Sequence, residues 1–338
     1  MNGRLEASVE RVVLPLRKPL RTAWGELGER ELLLLRVRGE DGVEGVGEAA
    51  PLEAYDGVSF AGCRAGLERA AVALEQGMGS AAAREAGTGP GMAAVDVALL
   101  DLRARREGVP AWNLFADRAL AEIEVNATIG AEDRASAAAA AVDARDAGFS
   151  CVKVKAGTGD DPGRVAAVRA AAGPDMRIRL DANGAWTVGE AVTTLRVLGP
   201  AAIELCEEPV SGLEAFRALR GQTDIPVAMD ETAADPGAVR AGAADAVCLK
   251  IARCGGISGL LAAAAEARAA GQEVYLASSL DGPVGIAAAL HAAALVVPDR
   301  PSGLATLSLF ADLEDPFPPE AGWIAVPGGP GIGVACPA

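Results

Sequence analysis

From residue 122 onward, short apolar runs alternate with Ala-rich stretches of helical period. The runs are EIEVNATI, CVKVKAG, RIRLDAN, AIELCEEP, PVAMDE, AVCLKIA, VYLASS and GLATLS, eight in all, and helix-like segments at 131–146, 162–172, 187–198, 257–270 and 284–295 accompany them. Neighbouring parallel strands need a crossover, usually a helix, to carry the chain back. Alternation of this kind therefore implies a parallel sheet with helices outside it, and eight repeats close a (β/α) barrel.

The first part of the chain is organised differently. Residues 4–14 and 31–38 read as strands, 39–47 as a turn with a short return strand, and 58–76 and 91–107 as helices. The stretch KPLRTAWGELGER at 18–30 is polar and Gly-containing and reads as a mobile loop. The expectation is an α/β protein: an N-terminal α+β capping domain over 1–120, a modified TIM barrel over 121–307, and a Pro- and Gly-rich tail over 308–338 that returns to the capping domain. GGPGIG at 328–333 mimics a dinucleotide-binding turn but has no helix after it, which excludes that use.

Charge narrows the partners. The balance of 31 basic and 46 acidic residues, 31 − 46 = −15, argues against a nucleic-acid polyanion and against an anionic membrane surface. The opening MNGRLEASVE has no apolar h-region, and the six cysteines form no CxxC pair. Together these point to a cytoplasmic protein with reduced thiols. Self-association is left open.

Two scarce residue types narrow the chemistry. The single histidine, His291, lies in an apolar helical segment and excludes a His-rich metal site. Of the 31 basic residues only Lys18, Lys153, Lys155 and Lys250 are lysine. Lys can lose its proton and act as a base, which Arg cannot. Lys18, in the polar stretch, reads as a surface residue.

The other three lysines fall at strand ends. Lys153 and Lys155 close the second run, Asp181 the third, Glu207 the fourth, Asp230 the fifth and Lys250 the sixth. The intervals from Lys155 are 26, 26, 23 and 20 residues, about one βα unit each. In a barrel these side chains ring one face, where barrel active sites are built. Converging carboxylates need a cation, and oxygen-only ligands favour a hard one such as Mg²⁺. A divalent cation flanked by lysines suits removal of a proton beside a carboxylate, because the resulting enediolate carries a second negative charge.

The motifs KVK at 153–155, LDANGAW at 180–186, EEP at 207–209, MDE at 229–231 and LKIARCGGI at 249–257 occur in an order that resembles the enolase superfamily, most nearly its muconate-lactonizing-enzyme subgroup. The resemblance implies that Asp181, Glu207 and Asp230 bind Mg²⁺, with Mn²⁺ able to substitute. It implies that Lys155 and Lys250 face each other across a small carboxylate substrate, that Lys153 supports Lys155, and that Asn183 and Glu231 stand behind the ligands. ASSLDGPVGIAA at 277–288 and SGLATLSLFADL at 302–313 are most similar to o-succinylbenzoate synthases, dehydratases of menaquinone biosynthesis. Dipeptide epimerases, N-acylamino acid racemases and muconate cycloisomerases are the alternatives. An Asp-x-Asp at the end of the eighth strand, usual in dipeptide epimerases, is replaced by Ala305-Thr306-Leu307-Ser308. Against the synthase stands IARCGG after Lys250, which is more like the cycloisomerases and epimerases. A non-catalytic barrel scaffold is the reading from a different class, and clustered like charges argue against it.

Selectivity is expected from the capping domain, where Arg21, Thr22, Trp24 and Tyr55 could close over the substrate. Ser278 and Ser279, ending the seventh run, are candidates to hold a distal polar group or to cap the next helix. Cys206 and Cys248 read as small hydrophobes in the barrel wall.

Overall fold

The computed structural model describes residues 4–22, 25–130 and 133–334. The apolar run 32–35 is buried on both faces because it lies between two cores. Along a strand, alternate residues point to opposite sides. Leu33, Leu35 and Val37 pack with the capping helices, whereas Leu34 joins the barrel core. They belong to a three-stranded antiparallel sheet of β1 (Leu5–Thr22), β2 (Gly25–Gly39) and β3 (Glu44–Ala49). The expected loop at 18–30 is instead the far end of this hairpin, paired as Leu20↔Leu27 and Thr22↔Gly25. The register shifts between Pro15 and Leu20, where proline offers no N–H and Leu16 turns away to bridge Phe310.

Helices α1 (Glu53–Asp56), α2 (Phe60–Glu75), α3 (Gly79–Ala86) and α4 (Gly89–Glu107) complete the capping part. α4 lies against β3 so closely that a Cβ on Gly47 would meet the Ala94 carbonyl oxygen at 1.9 Å. Glycine is required there by contact, not by conformation.

The barrel sheet is parallel and runs in the order β5 (Ala127–Ile129), β6 (Cys151–Lys155), β7 (Arg177–Asp181), β8 (Ile203–Glu207), β9 (Val227–Met229), β10 (Ala246–Leu249) and β11 (Glu273–Leu276). Helices α5 (Arg134–Asp146), α6 (Asp161–Ala172), α7 (Val188–Leu198), α8 (Leu213–Leu219), α9 (Ala238–Ala241), α10 (Ile251–Cys254), α11 (Ile257–Ala269) and α12 (Pro283–Val296) alternate with the strands.

Two strand expectations need correction. The first run divides: β4 (Glu122–Glu124) leaves the barrel to pair antiparallel with β12 (Trp323–Ala325), and only β5 enters the sheet. The eighth run forms no extended strand. Ser302 bridges Val125 and Gly303 bridges Ala277, with Ser302 N–H donating to Glu124 O at 2.8 Å and Gly303 N–H to Leu276 O at 2.7 Å. Pro301 supplies no donor before them, so closure rests on these two residues.

The chain beyond 308 runs back to the capping part. Gly331 bridges Pro110, and buried Asp101 of α4 accepts from Ile332 N–H at 2.8 Å and from Val46 N–H at 2.9 Å. Among the described residues no helix is long and apolar enough to cross a membrane.

Candidate active site

A cavity of about 300 Å³ opens between the capping hairpin and the C-terminal ends of the barrel strands. All four lysines of the chain line it, Lys18 included. The sequence leaves Lys18 on the surface, and only the hairpin's extension over the barrel mouth places it here. Lys155 belongs to the second strand position and Lys250 follows the sixth, so 6 − 2 = 4 steps in a ring of eight puts them half a turn apart.

Each of the three inner lysines grips a carboxylate. Lys153 Nζ lies 3.0 Å from Glu207 Oε1 and 3.1 Å from Asp181 Oδ2. Lys155 Nζ donates to Asp181 Oδ2 at 2.7 Å and to Asn183 Oδ1 at 2.8 Å. Lys250 Nζ donates to Asp230 Oδ2 at 2.6 Å. Burial alone lowers an ammonium pKa, but Glu207 and Asp181 outweigh it at Lys153 and Asp230 does so at Lys250, so both are held above the usual lysine range. Burial likewise pushes Asp181 up, yet Lys155 and Lys153 win and keep it well below the carboxylate range. Asp230 is lowered in the same way by Lys250, whereas burial prevails at Glu207 and raises it.

The surrounding acids are tied into this lattice. Asn183 Nδ2 donates to Glu231 Oε1 at 2.9 Å, and burial together with Asp230 pushes Glu231 up to about 7. Glu208, the second acid of EEP, accepts from the N–H groups of Asp230 at 2.6 Å and Thr232 at 2.9 Å, with burial and Glu231 raising it to about 8. Sequence reasoning passed over Glu208, although its place in the motif was a usable signal. It also passed over Arg253, which donates to Glu231 O at 2.7 Å and to Tyr55 Oη at 2.9 Å.

Tyr55 lines the cavity, but its hydroxyl is committed to the site itself. It donates to Asp230 Oδ1 at 2.7 Å and accepts from Lys250 Nζ at 2.5 Å. The capping part is thereby tied to the strand ends. Ser278 and Ser279 divide their roles. Ser278 Oγ accepts from Asp281 N–H at 3.0 Å ahead of α12, while Ser279 lines the cavity and its buried Oγ has no partner among the described residues. Trp24 lies outside the described residues, as do the side chains of Arg21 and Thr22. His291 is buried in α12, its Nδ1 accepting from Trp112 N–H at 3.4 Å, and burial lowers its pKa to about 4. It stands away from the cavity wall.

Ligating atoms of Glu207, Asp230 and Cys248 lie within 4.8 Å of one another. Asp181, expected as the third member of such a group, is drawn instead to Lys155 and Lys153. Burial and Glu207 push the Cys248 thiol well above its ordinary value, so it stays protonated and packs with Leu205, Ala228 and Tyr275 inside the barrel. The remaining donors are oxygen, and the Lys153 ammonium between Asp181 and Glu207 marks a place where positive charge is stabilised. This donor set fits a hard divalent cation.

Residues 4–116 match the family model "Mandelate racemase / muconate lactonizing enzyme, N-terminal domain", and 136–337 match "Enolase C-terminal domain-like". The chain belongs to the enolase superfamily. Within that superfamily it falls in the muconate-lactonizing-enzyme subgroup. A hydrophobic dipeptide epimerase of Citrifermentans bemidjiense is 33% identical over 95% of this chain and 94% of its own length. An o-succinylbenzoate synthase of Mycobacterium bovis is 41% identical, over 60% of this chain and 64% of its own. Among solved structures, the dipeptide epimerase of Enterococcus faecalis complexed with Mg and L-Leu-L-Tyr superimposes with a TM-score of 0.89 at 26% identity, covering 98% of this chain and 99% of that one. The N-succinyl Arg/Lys racemase of Bacillus cereus gives 0.90 at 25% identity, covering 98% and 95%. Enolase-superfamily chemistry, metal-dependent removal of a proton α to a carboxylate, is thus the activity class of this protein.

Proposed function

We propose that this enzyme removes and returns the α proton of an N-acylated amino acid, as a racemase or epimerase. The observation that carries this reading is the placement of Lys155 and Lys250 half a turn apart on one cavity. Inversion needs one group to take a proton from one face of the carbon and another to deliver a proton to the opposite face. Lys155 breaks the C–H bond by accepting the proton, the electron pair moves into the substrate carboxylate as an enediolate, and the Lys250 ammonium protonates the other face. The reverse direction exchanges the two roles, and each positioned proton-transfer group contributes about 10²–10⁴-fold. Asp181, Glu207 and Asp230 would hold Mg²⁺, or Mn²⁺ in its place, which when bound supplies positive charge against the enediolate oxygens. Lys153 keeps its charge between Asp181 and Glu207, and Asn183 and Glu231 hold Lys155 in line.

The cavity's charge favours an acylated nitrogen over a free ammonium. Its acidic lining residues are Asp181, already paired with two lysines, and Glu26, which has a partner of its own. The strand-eight stretch contributes Gly303 and Thr306 and no acid. Lys18 and Ser279, whose hydroxyl has no partner among the described residues, suit a second carboxylate such as a succinyl group, and Leu20, Leu27, Leu52, Leu280 and Leu309 suit an apolar side chain. The hydrophobic dipeptide epimerase matched over 94% of its own length supports epimerisation, whereas the synthase likeness covers 60% of the chain. That 41% likeness nonetheless favours a second reading, dehydration to o-succinylbenzoate, in which Lys155 returns its proton to the leaving hydroxyl and Lys250 stays charged.

The test is NMR of N-succinyl amino acids with Mg²⁺ in D₂O, beside loss of cyclohexadiene absorbance with the synthase substrate. α-Deuteration with inversion in wild type, lost in Lys155→Ala and in Lys250→Ala, supports the first reading. Absorbance loss alone moves the assignment to the synthase. Neither signal overturns both.

A further inference from the structure

Beneath the cavity, inside the barrel, lies a polar arrangement that the proton-transfer scheme does not use. Arg179 on β7 is fully buried, two residues before Asp181 and on the same inner face. Its guanidinium carbon sits 4.4 Å from the ring centroid of Tyr275 on β11. These strands occupy the third and seventh positions, 7 − 3 = 4 apart, so the stack spans the barrel. Nη1 donates to Pro301 O at 3.0 Å, while Nε and Nη2 meet no hydrogen-bond acceptor among the described residues and Glu204 Oε2 is 3.6 Å from Nη2. Burying a cation with unpaired N–H groups is costly, and an apolar side chain fills such a space more cheaply. Volume alone does not account for Arg179.

The far end of the stack reaches Glu207. The Tyr275 hydroxyl donates to Glu207 Oε2 at 2.7 Å, while Lys153 holds Oε1 at 3.0 Å. The two oxygens are thus fixed from different strands. We propose that Tyr275 is a positioning residue that sets the orientation of the Glu207 carboxylate for cation binding, with Arg179 holding the tyrosine ring in place. This rests on the reading of Glu207 as a metal ligand. A planar cation on the ring face restrains the tyrosine and makes its hydroxyl a stronger donor. Phenylalanine at the same position would keep the packing and leave Oε2 free to rotate.

The test titrates Mn²⁺ into wild type, Tyr275→Phe, Arg179→Lys and Glu207→Gln without substrate, reading free Mn²⁺ by electron paramagnetic resonance. Unfolding midpoints are measured in chelator alongside. Tyr275→Phe is expected to raise the Mn²⁺ Kd about 10–100-fold, with its metal-free midpoint within about 5 °C of wild type. Arg179→Lys, which loses the planar stack but keeps the charge, is expected to raise Kd less, in the same direction, and decides the matter if the phenylalanine protein does not fold. A Kd within about twofold of wild type in the folded variants, with Glu207→Gln strongly impaired, overturns the positioning role and leaves the ligand reading intact. Wild-type affinity in Glu207→Gln removes the ligand reading itself. A metal-free midpoint lowered by about 10 °C or more in Tyr275→Phe assigns the hydroxyl to stability and also overturns the proposal.

Discussion

Glu48 gives the sharpest test of how the capping part is seated. The residue lies on β3, and its carboxylate accepts from Gly282 N–H at 2.7 Å and Gly285 N–H at 3.2 Å at the start of α12. Burial, reinforced by Asp281, pushes it from 4.5 up to about 7, against the two N–H groups and Arg30, which pull the other way. The folded protein therefore keeps the proton to about pH 7, while the unfolded chain gives it up near 4.5. Stability from this group is fully present below the lower value and is lost as pH rises through the upper one. The interval is 7 − 4.5 = 2.5 units, which at about 1.36 kcal/mol per unit is about 3 kcal/mol. Glu48→Gln cannot ionise and escapes that loss. Urea unfolding of both proteins between about pH 4.5 and about pH 8 should show wild type losing about 3 kcal/mol relative to the variant, mostly above pH 5. Curves that stay parallel to within about 0.5 kcal/mol would refute the reasoning. They would mean that the helix terminus, ordinarily worth about 0.3–2 kcal/mol to an anion, together with Arg30 overcomes the burial.

Three further outcomes follow from the same geometry. Mg²⁺ at about 100 times its Kd should stabilise wild type by about 2.7 kcal/mol, seen as a higher unfolding midpoint that chelator reverses, and Asp181→Asn should show no such response. Gly47→Ala must push β3 off α4, since its Cβ would stand 1.9 Å from Ala94 O. A loss of about 1–3 kcal/mol or more is expected, whereas Gly28→Ala, with nothing among the described residues within 4 Å, should change stability by less than about 0.5 kcal/mol. Lys18→Ala should raise KM about tenfold for a substrate with a second carboxylate and leave kcat nearly unchanged, because an exposed charge contributes to uniform binding; an equal fall in kcat would contradict that placement.

The strand-end residues were legible because the chain does the measuring. One βα unit takes about 20–26 residues here, so a charged residue recurring at that interval returns to the same rim, and Asp181, Glu207 and Lys250 could be placed by counting. What counting could not supply were contacts made across the closed barrel or between its two parts. The Tyr275 hydroxyl beneath Glu207, Arg253 behind Asp230, and Lys18 over the mouth each join segments separated by tens to hundreds of residues. The eighth strand failed for another reason. An apolar run predicts burial, yet closure needed only the two bridging residues Ser302 and Gly303.

The four lysines of the chain gather at the cavity. In a chain with 27 arginines, 31 − 4 = 27, many cationic positions serve as salt bridges on the surface, where a permanently charged guanidinium suffices. Every lysine lines the cavity, and the three inner ones hold carboxylates at 2.6–3.1 Å. The compact Lys153 ammonium sits between Asp181 and Glu207, 3.1 Å and 3.0 Å from their oxygens. More importantly, an ammonium can give up its proton to a carbon and take it back. On the proposed reading, arginine at Lys155 or Lys250 would preserve the charge and remove the proton transfer, whereas Lys18 and Lys153 are used for their charge alone.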